Sequence, residues 1–218
     1  MVPQHRSLFR LIFLSAKDMK LLIDLVKDYK ITLASASPRR SELILGLGIP
    51  FTVEINSETD EEYSESTHPF DVPAILSLRK SLSFGRELDP KEILITADTL
   101  VICENLILGK PKDRDEACKM LRMLSCKAHK VVTGVTLRSI EKTESFSSET
   151  TVYFREISDR EIEFYVDNYF PYDKAGAYGV QEWIGFTAIY KIEGSYFNVM
   201  GLPIQKLSDT LCAFILSL

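Results

Sequence analysis

ITLASASPRRSELILGLG, residues 31–48, decides how the chain is read. Ile31, Thr32 and Leu33 open it as a short strand. Small residues then lead into Ser37-Pro38-Arg39-Arg40. Leu43, Ile44 and Leu47 fall on one side of a helical segment that has Gly46 and Gly48 near its end. Ser37 suits the N-cap and Pro38 the first helical position, so the unit is strand, tight loop, helix. The first N–H groups of such a helix point back toward the loop. Arg39 and Arg40 in that first turn oppose the helix dipole. The conflict disappears if an anion sits between the guanidinium groups and the N–H groups, as at phosphate-binding helix starts. A solvated arginine pair is the other reading, and the segment alone leaves both open.

The chain has 218 residues, 45% of them hydrophobic, and a net charge of −5. That is one large domain or two small ones, with material for a full core. The acidic balance argues against a nucleic-acid partner, so an anionic ligand needs a local basic pocket. The four cysteines, Cys103, Cys118, Cys126 and Cys212, form no CxxC pair and lie in or beside apolar stretches. They read as reduced thiols of a cytoplasmic protein. His5, His68 and His129 are far apart, which disfavours a zinc site. No apolar run approaches the length of a membrane span, so no membrane partner is expected. Residues 1–18 faintly imitate a signal peptide, but Arg10 splits the apolar core and Ser15-Ala16-Lys17 is a poor cleavage site. Residues 1–29 are therefore expected to be an extension preceding one domain at 30–218. Met19 is an alternative start, which mass spectrometry of the native N-terminus would decide.

Further along, residues 51–55 alternate like a strand, and the acidic stretch 56–68 reads as a solvated loop. Residues 71–86 have helical spacing, and ILITADTLVIC, residues 93–103, predicts a strong strand. Glu104-Asn105 is a tight turn into residues 106–108. Asp113 caps a helix to about Leu124. Residues 130–138 and 149–155 predict strands joined by a polar loop at 139–148. Ser158-Asp159-Arg160-Glu161 is a capping box opening a helix to about Asp167. Residues 168–179 are turn-rich. Residues 187–192 and 196–200 predict two more strands, and 204–216 a closing helix. Interleaved strands and helices with hairpins predict an α/β fold on a mixed sheet.

Asp98 stands out, because an unpaired carboxylate inside an apolar strand is costly. It is paired, metal-bound, at a cleft, or capping a neighbouring turn. Thr99 would face the other side unless the strand bends. Lys110, between Gly109 and Pro111, lacks the context of a P-loop lysine, yet is placed to meet phosphate or simply solvent. Residues 173–181, DKAGAYGVQ, combine Asp173 and Lys174 with small residues and with Gln181, whose amide suits the edge of a base. A plain loop with a salt bridge is the alternative.

The joint pattern is more specific. LASASPRRSELI (33–44), ADTLV (97–101), LGKP (108–111), LRMLSCKAHKVVTGV (121–135), DKAGAYGVQ (173–181) and VMGLP (199–203) occur in this order. Together they closely resemble the Maf family of nucleoside triphosphate pyrophosphatases, over roughly residues 31–207. The resemblance implies a Maf/ITPase-like α/β fold, a bent mixed sheet flanked by helices, with two lobes and a cleft between them. It implies hydrolysis of a nucleoside triphosphate to monophosphate and pyrophosphate with a divalent cation, Mg²⁺ or Mn²⁺. By the same matching, Ser37, Arg39 and Arg40 line the triphosphate and base end. Glu61 fills the acidic loop position, and Lys80 is the cleft lysine. Asp98 is the proton acceptor, and Lys110, Asp173 and Lys174 are the remaining cleft charges. Glu61 and Asp98 are the metal candidates, Asp98 as base or ligand.

The resemblance is closest to the branch acting on dTTP and UTP, whose specificity positions carry Arg, Thr and Gln, as Arg39, Thr99 and Gln181 do here. Glu182 and Trp183 depart from the small residues usual after Gln181, and Ser81 replaces a common alanine. The function implied is a dTTP/UTP pyrophosphatase that removes unwanted nucleotides. The alternatives are a nucleotide-binding regulator of septum formation, or a pyrophosphatase for a purine or modified nucleotide. Relatives are often homodimers, but no apolar stripe marks an interface.

Overall fold

A computed structural model describes residues 21–55, 62–64 and 66–218. The elements run α1 (Leu22–Leu25), β1 (Lys30–Leu33), α2 (Pro38–Leu45), β2 (Thr52–Val53), α3 (Val72–Leu82), β3 (Glu92–Cys103), β4 (Leu106–Leu108) and α4 (Arg114–Leu124). They continue with β5 (Ala128–Arg138), β6 (Thr143–Phe154), α5 (Asp159–Tyr169), α6 (Trp183–Ala188), β7 (Ile189–Glu193), α7 (Tyr196–Met200) and α8 (Ile204–Leu216). Among the described residues the strands form one seven-stranded sheet, ordered β2-β1-β3-β5-β6-β7 with β4 on β3. β1 is parallel to β2 and β3, and the other pairs are antiparallel. The mixed α/β sheet is the fold class the residue pattern predicts.

Local chemistry explains most boundaries. Asp113 caps α4 by accepting from Glu116 N at 2.9 Å. Ser158 and Glu161 close the expected capping box at α5. Glu104 and Asn105 both take positive φ, the mirror-image turn that suits a two-residue hairpin. Buried Ile, Leu and Val of β1, β3 and β5 pack with α4, α5 and α8 into the main core. Val26 belongs to that core and is fully buried, with Leu22, Leu25 and Tyr29 packed against it. At the foot of the sheet, the buried Glu92 carboxylate receives Arg86 through two hydrogen bonds of 2.7 and 2.8 Å. The guanidinium holds that carboxyl well below the usual carboxylate range.

Several segments differ from their sequence reading: the helix read over 71–86 ends at Leu82 and the strand read over 51–55 spans only Thr52–Val53, and three others differ more. Residues 196–200 form helix α7 and not a strand. Ser195 Oγ caps it, accepting from Asn198 N at 3.3 Å, and Gly201 ends it at φ 116°. The buried Asn198 amide then donates to Val131 O and Thr150 Oγ1, pinning the turn to the sheet. Aromatic and β-branched residues imitated a strand there, and the caps decided otherwise. Residues 187–188 finish α6, so β7 starts at Ile189. β6 begins at Thr143, and most of the supposed polar loop is strand. Its hydroxyls find partners, as in Thr136 Oγ1···Ser145 Oγ at 2.8 Å.

Gly134 governs how α3 meets the sheet. A Cβ there would lie 2.2 Å from Pro73 C and 2.3 Å from Ala74 N. The start of α3 rests directly on the β5 backbone at this point. Thr96 Oγ1 donates to Ser77 O at 2.7 Å, and Arg138 Nε donates to Ser81 Oγ at 3.0 Å, fixing the helix along its length.

Candidate active site

The carboxyl end of β1 leaves a gap in the sheet. β1 pairs with β3 as far as Leu33 opposite Ile95, and β4 takes up the same edge again at Val101. Between them, residues 97–100 of β3 have no strand neighbour on that edge among the described residues. Ala34 N donates to Ile95 O at 2.9 Å. The next carbonyl on the edge, Ala97 O, accepts from Arg40 Nη1 at 2.9 Å. A guanidinium thus stands where a strand amide would be.

A cleft of about 450 Å³ occupies this gap, a size suited to a small ligand. The loop after β1 and the start of α2 contribute Ser37, Arg39 and Arg40 to its lining. Lys80 comes from α3, and Asp98 and Thr99 from β3. Lys110, Asp173, Lys174 and Gln181 come from the segments after β4 and before α6. Every site residue expected from sequence therefore lines one cleft, except Glu61, which lies outside the described residues. Asp98 and Thr99 point to opposite faces of β3, and no bend is needed. The cleft wraps around the unpaired edge and reaches both.

Asp98 is 7% exposed and pairs with Lys80 Nζ at 2.5 Å. Thr99 Oγ1 lies 3.1 Å from Arg40 Nη2, 3.0 Å from Thr133 Oγ1 and 3.3 Å from Gly201 O. Arg40 also donates through Nε to Gly201 O at 2.9 Å. It clamps α2, β3 and the end of α7 together. Ser37 occupies the N-cap of α2 without capping by its side chain. Residues 37–40, the start of that helix, line the cleft.

The second wall is a chain of charges. Arg39 Nη1 donates to Asp173 Oδ2 at 2.7 Å, and Lys174 Nζ reaches Asp173 Oδ1 at 2.6 Å. Burial acts to raise the Asp173 carboxyl, but Lys174 and Arg39 outweigh it and hold it below the usual value. Lys174 Nζ also lies 3.1 Å from Glu182 Oε1, and Glu182 Oε2 accepts from Tyr165 O–H. Gly179 N donates to the same Tyr165 oxygen at 3.0 Å. Burial, with the Glu182 carboxylate beside it, pushes the Tyr165 phenol up. Gln181 Oε1 is buried and has no hydrogen-bond partner among the described residues.

Tyr165, Glu182, Gly201 O and Thr133 were not singled out from sequence as parts of the site. Tyr165 looks like a core aromatic on α5, and nothing local marks it. Glu182 did carry a signal, as a charge where small residues are usual.

Beneath the wall, His129 is buried, with Nε2 2.8 Å from Tyr178 O–H. Its Nδ1 has no partner among the described residues. Burial lowers its pKa from 6.5 to about 4. The unfolded chain therefore binds the extra proton first. The stability tied to neutral His129 is fully present above about pH 6.5 and is lost as pH falls through 4. The loss approaches about 3 kcal/mol at pH 4. Urea unfolding from pH 7 to 4.5 should show this slope, and His129→Gln should flatten it.

Among the described residues, no group of three His, Cys, Asp or Glu side chains is placed to hold a metal by itself, and no helix is long and apolar enough to cross a membrane. The family described as Maf-like protein matches residues 30–214. A protein named dTTP/UTP pyrophosphatase from Bacteroides fragilis is 50% identical over 179 residues, covering 82% of this chain and 93% of that one. One of the same name from Porphyromonas gingivalis is 46% identical over 195 residues, covering 88% and 98%. Another from Parabacteroides distasonis is 45% identical over 193 residues, covering 88% and 100%.

Proposed function

Because the chain belongs to the Maf-like protein family, we propose that it is a nucleoside triphosphate pyrophosphatase, cleaving dTTP and UTP to the monophosphate and pyrophosphate. The similar proteins that bear the name dTTP/UTP pyrophosphatase support this over the septum-regulator alternative. The observation that carries it is the meeting of Asp98 with Arg39, Lys80, Lys110 and Lys174 around one cleft.

In this reading water attacks the α-phosphorus, and Asp98 orients it and accepts its proton. The bond from the α-phosphorus to the bridging oxygen breaks, and pyrophosphate leaves. Lys80 holds the Asp98 carboxylate in place. Lys110, Lys174, Arg39 and the free start of α2 meet the phosphate charge that grows in the transition state. Arg40 sets the cleft wall and adds its charge.

The oxygen donors here suit Mg²⁺ or Mn²⁺, hard cations that take one or two carboxylates together with substrate phosphates. Asp98 is the carboxylate of the cleft that would hold the ion, with Glu61 as the second, if it serves as ligand in place of base. When bound, it neutralises phosphate charge.

Base choice falls to Gln181, Arg39 and Thr99. The unpartnered Gln181 Oε1 can accept the ring N–H of thymine or uracil, and its amide can donate to a ring carbonyl. Gln181→Glu keeps the acceptor and removes the donor. It should lower kcat/KM for dTTP by roughly 10²-fold and narrow the preference over dCTP, with little change in Tm. An unchanged dTTP-to-dCTP ratio would take Gln181 out of base reading.

A domain at 30–218, removal of unwanted nucleotides, a cytoplasmic location and a homodimeric state complete the proposal. Unpaired thiols at all four cysteines accord with that location, and light scattering tests the dimer. The decisive assay is pyrophosphate release from a panel of nucleoside triphosphates with Mg²⁺ or Mn²⁺. dTTP and UTP should lead, and silence across the panel would favour the regulator.

A further inference from the structure

We infer that Glu182 and Tyr165 are positioning residues of the cleft: Tyr165 O–H fixes the Glu182 carboxylate, and Glu182 fixes the Lys174 ammonium for the substrate's phosphates. The inference rests on the function proposed above and deepens it, since neither residue was assigned a part there.

Lys174 is 8% exposed, so its charge needs compensation inside the wall. Two carboxylates provide it, and they are not equivalent. The Asp173 side chain is 56% exposed and shared with Arg39, so it sits at the rim. The Glu182 side chain is 20% exposed and is held from below by Tyr165, which is fully buried in α5. The Glu182 contact is the fixed one. An ammonium has three protons; Asp173 Oδ1 accepts one at 2.6 Å, and Glu182 Oε1 pairs with the charge at 3.1 Å. That leaves donor capacity for a ligand oxygen in the cleft that Lys174 lines.

The backbone is shaped around the same contact. Gly179 donates its N–H to Tyr165. A Cβ at Gly179 would lie 2.7 Å from Glu182 Cδ, so the carboxylate takes the space a side chain would fill. Residues 174 to 182 are thereby closed into a ring by the Lys174–Glu182 pair, with Gln181 next to its closing residue. One ion pair sets where the phosphate-facing lysine stands relative to the base-facing amide. A lysine stem left loose would lose its rotamer freedom on binding. Here that ordering precedes the ligand.

The test is a double-mutant cycle with Glu182→Gln, Tyr165→Phe and Lys174→Met, alone and combined. Glu182→Gln and Tyr165→Phe should each lower kcat/KM for dTTP roughly tenfold or more, with the folded state retained. Either substitution should cost little in the Lys174→Met background, because the group it positions is gone. A general loss of structure would cost the same in both backgrounds. Equal losses in both, or no loss in either single variant, would overturn the inference. Binding of inorganic pyrophosphate to the same proteins by calorimetry gives the same cycle without turnover. A wild-type chain that binds pyrophosphate in this Lys174-dependent way but hydrolyses no triphosphate would sink the function and keep the positioning. A wild type that hydrolyses dTTP with additive variants would do the reverse. Tyr165→Phe, which removes one oxygen, serves if Glu182→Gln does not fold.

Discussion

Asp98→Asn should reduce kcat for dTTP by roughly 10²- to 10⁴-fold while the nucleotide still binds. The size follows from the proposed role of Asp98 as proton acceptor, which an isosteric amide cannot fill. Binding should survive because the substitution removes a negative charge from a cleft that must hold phosphates, so the dissociation constant stays level or falls. Lys80, 2.5 Å from Asp98, loses its carboxylate partner but keeps an oxygen to donate to. Steady-state kinetics give the first quantity, and calorimetry with dTTP on the inert variant gives the second. Turnover within a few-fold of wild type would remove Asp98 from the chemistry. Lost binding together with lost turnover would make it a ligand of the cation or a structural carboxylate, and not the proton acceptor.

Gly134→Ala is the second large effect, and it acts at a distance. Gly134 sits opposite Asp98 in the β3–β5 register. The new methyl would meet Pro73 C at 2.2 Å, backbone that no rotamer change can move aside. Either α3 lifts from the sheet or β5 bends. Overpacking of this kind costs about 3 kcal/mol or more, which for a chain of this size lowers Tm by roughly 10 °C. Lys80 rides on α3, so the fraction that still folds should also hydrolyse dTTP roughly tenfold more slowly. Thermal denaturation with kcat/KM on the folded variant checks both. An unshifted Tm would show that α3 does not bear on Gly134 in solution.

What could be read from the sequence was chemistry that is local or out of place. Ser37-Pro38 announced a helix start, and Asp98 stood out because a carboxylate inside ILITADTLVIC needs a reason. Arg39 and Arg40 looked alike on the page and differ in the fold. Arg39 reaches the rim at Asp173, while Arg40 is spent largely on Ala97 O, Thr99 and Gly201 O. That difference depends on residues up to 161 positions away, and no local pattern carries it. Tyr165 was invisible for a related reason: its partners Gly179 and Glu182 lie 14 and 17 residues on, beyond the reach of any helical or strand periodicity. α7 was misread because YFNVM is rich in aromatic and β-branched residues, which favour strands. The deciding facts were a cap on either side and a buried amide tied to β5 and β6.

The place where β1 stops has a consequence for engineering and for drift. Had that strand run a few residues further along β3, main-chain bonds would have zipped up the opening that now forms the cleft. The volume available to a nucleotide is thus metered by the short span from Ala34 to Ser37, and Pro38, lacking an amide proton, blocks the strand from creeping onward. Lengthening that span with β-branched residues should seal the entrance while leaving the rest of the protein folded.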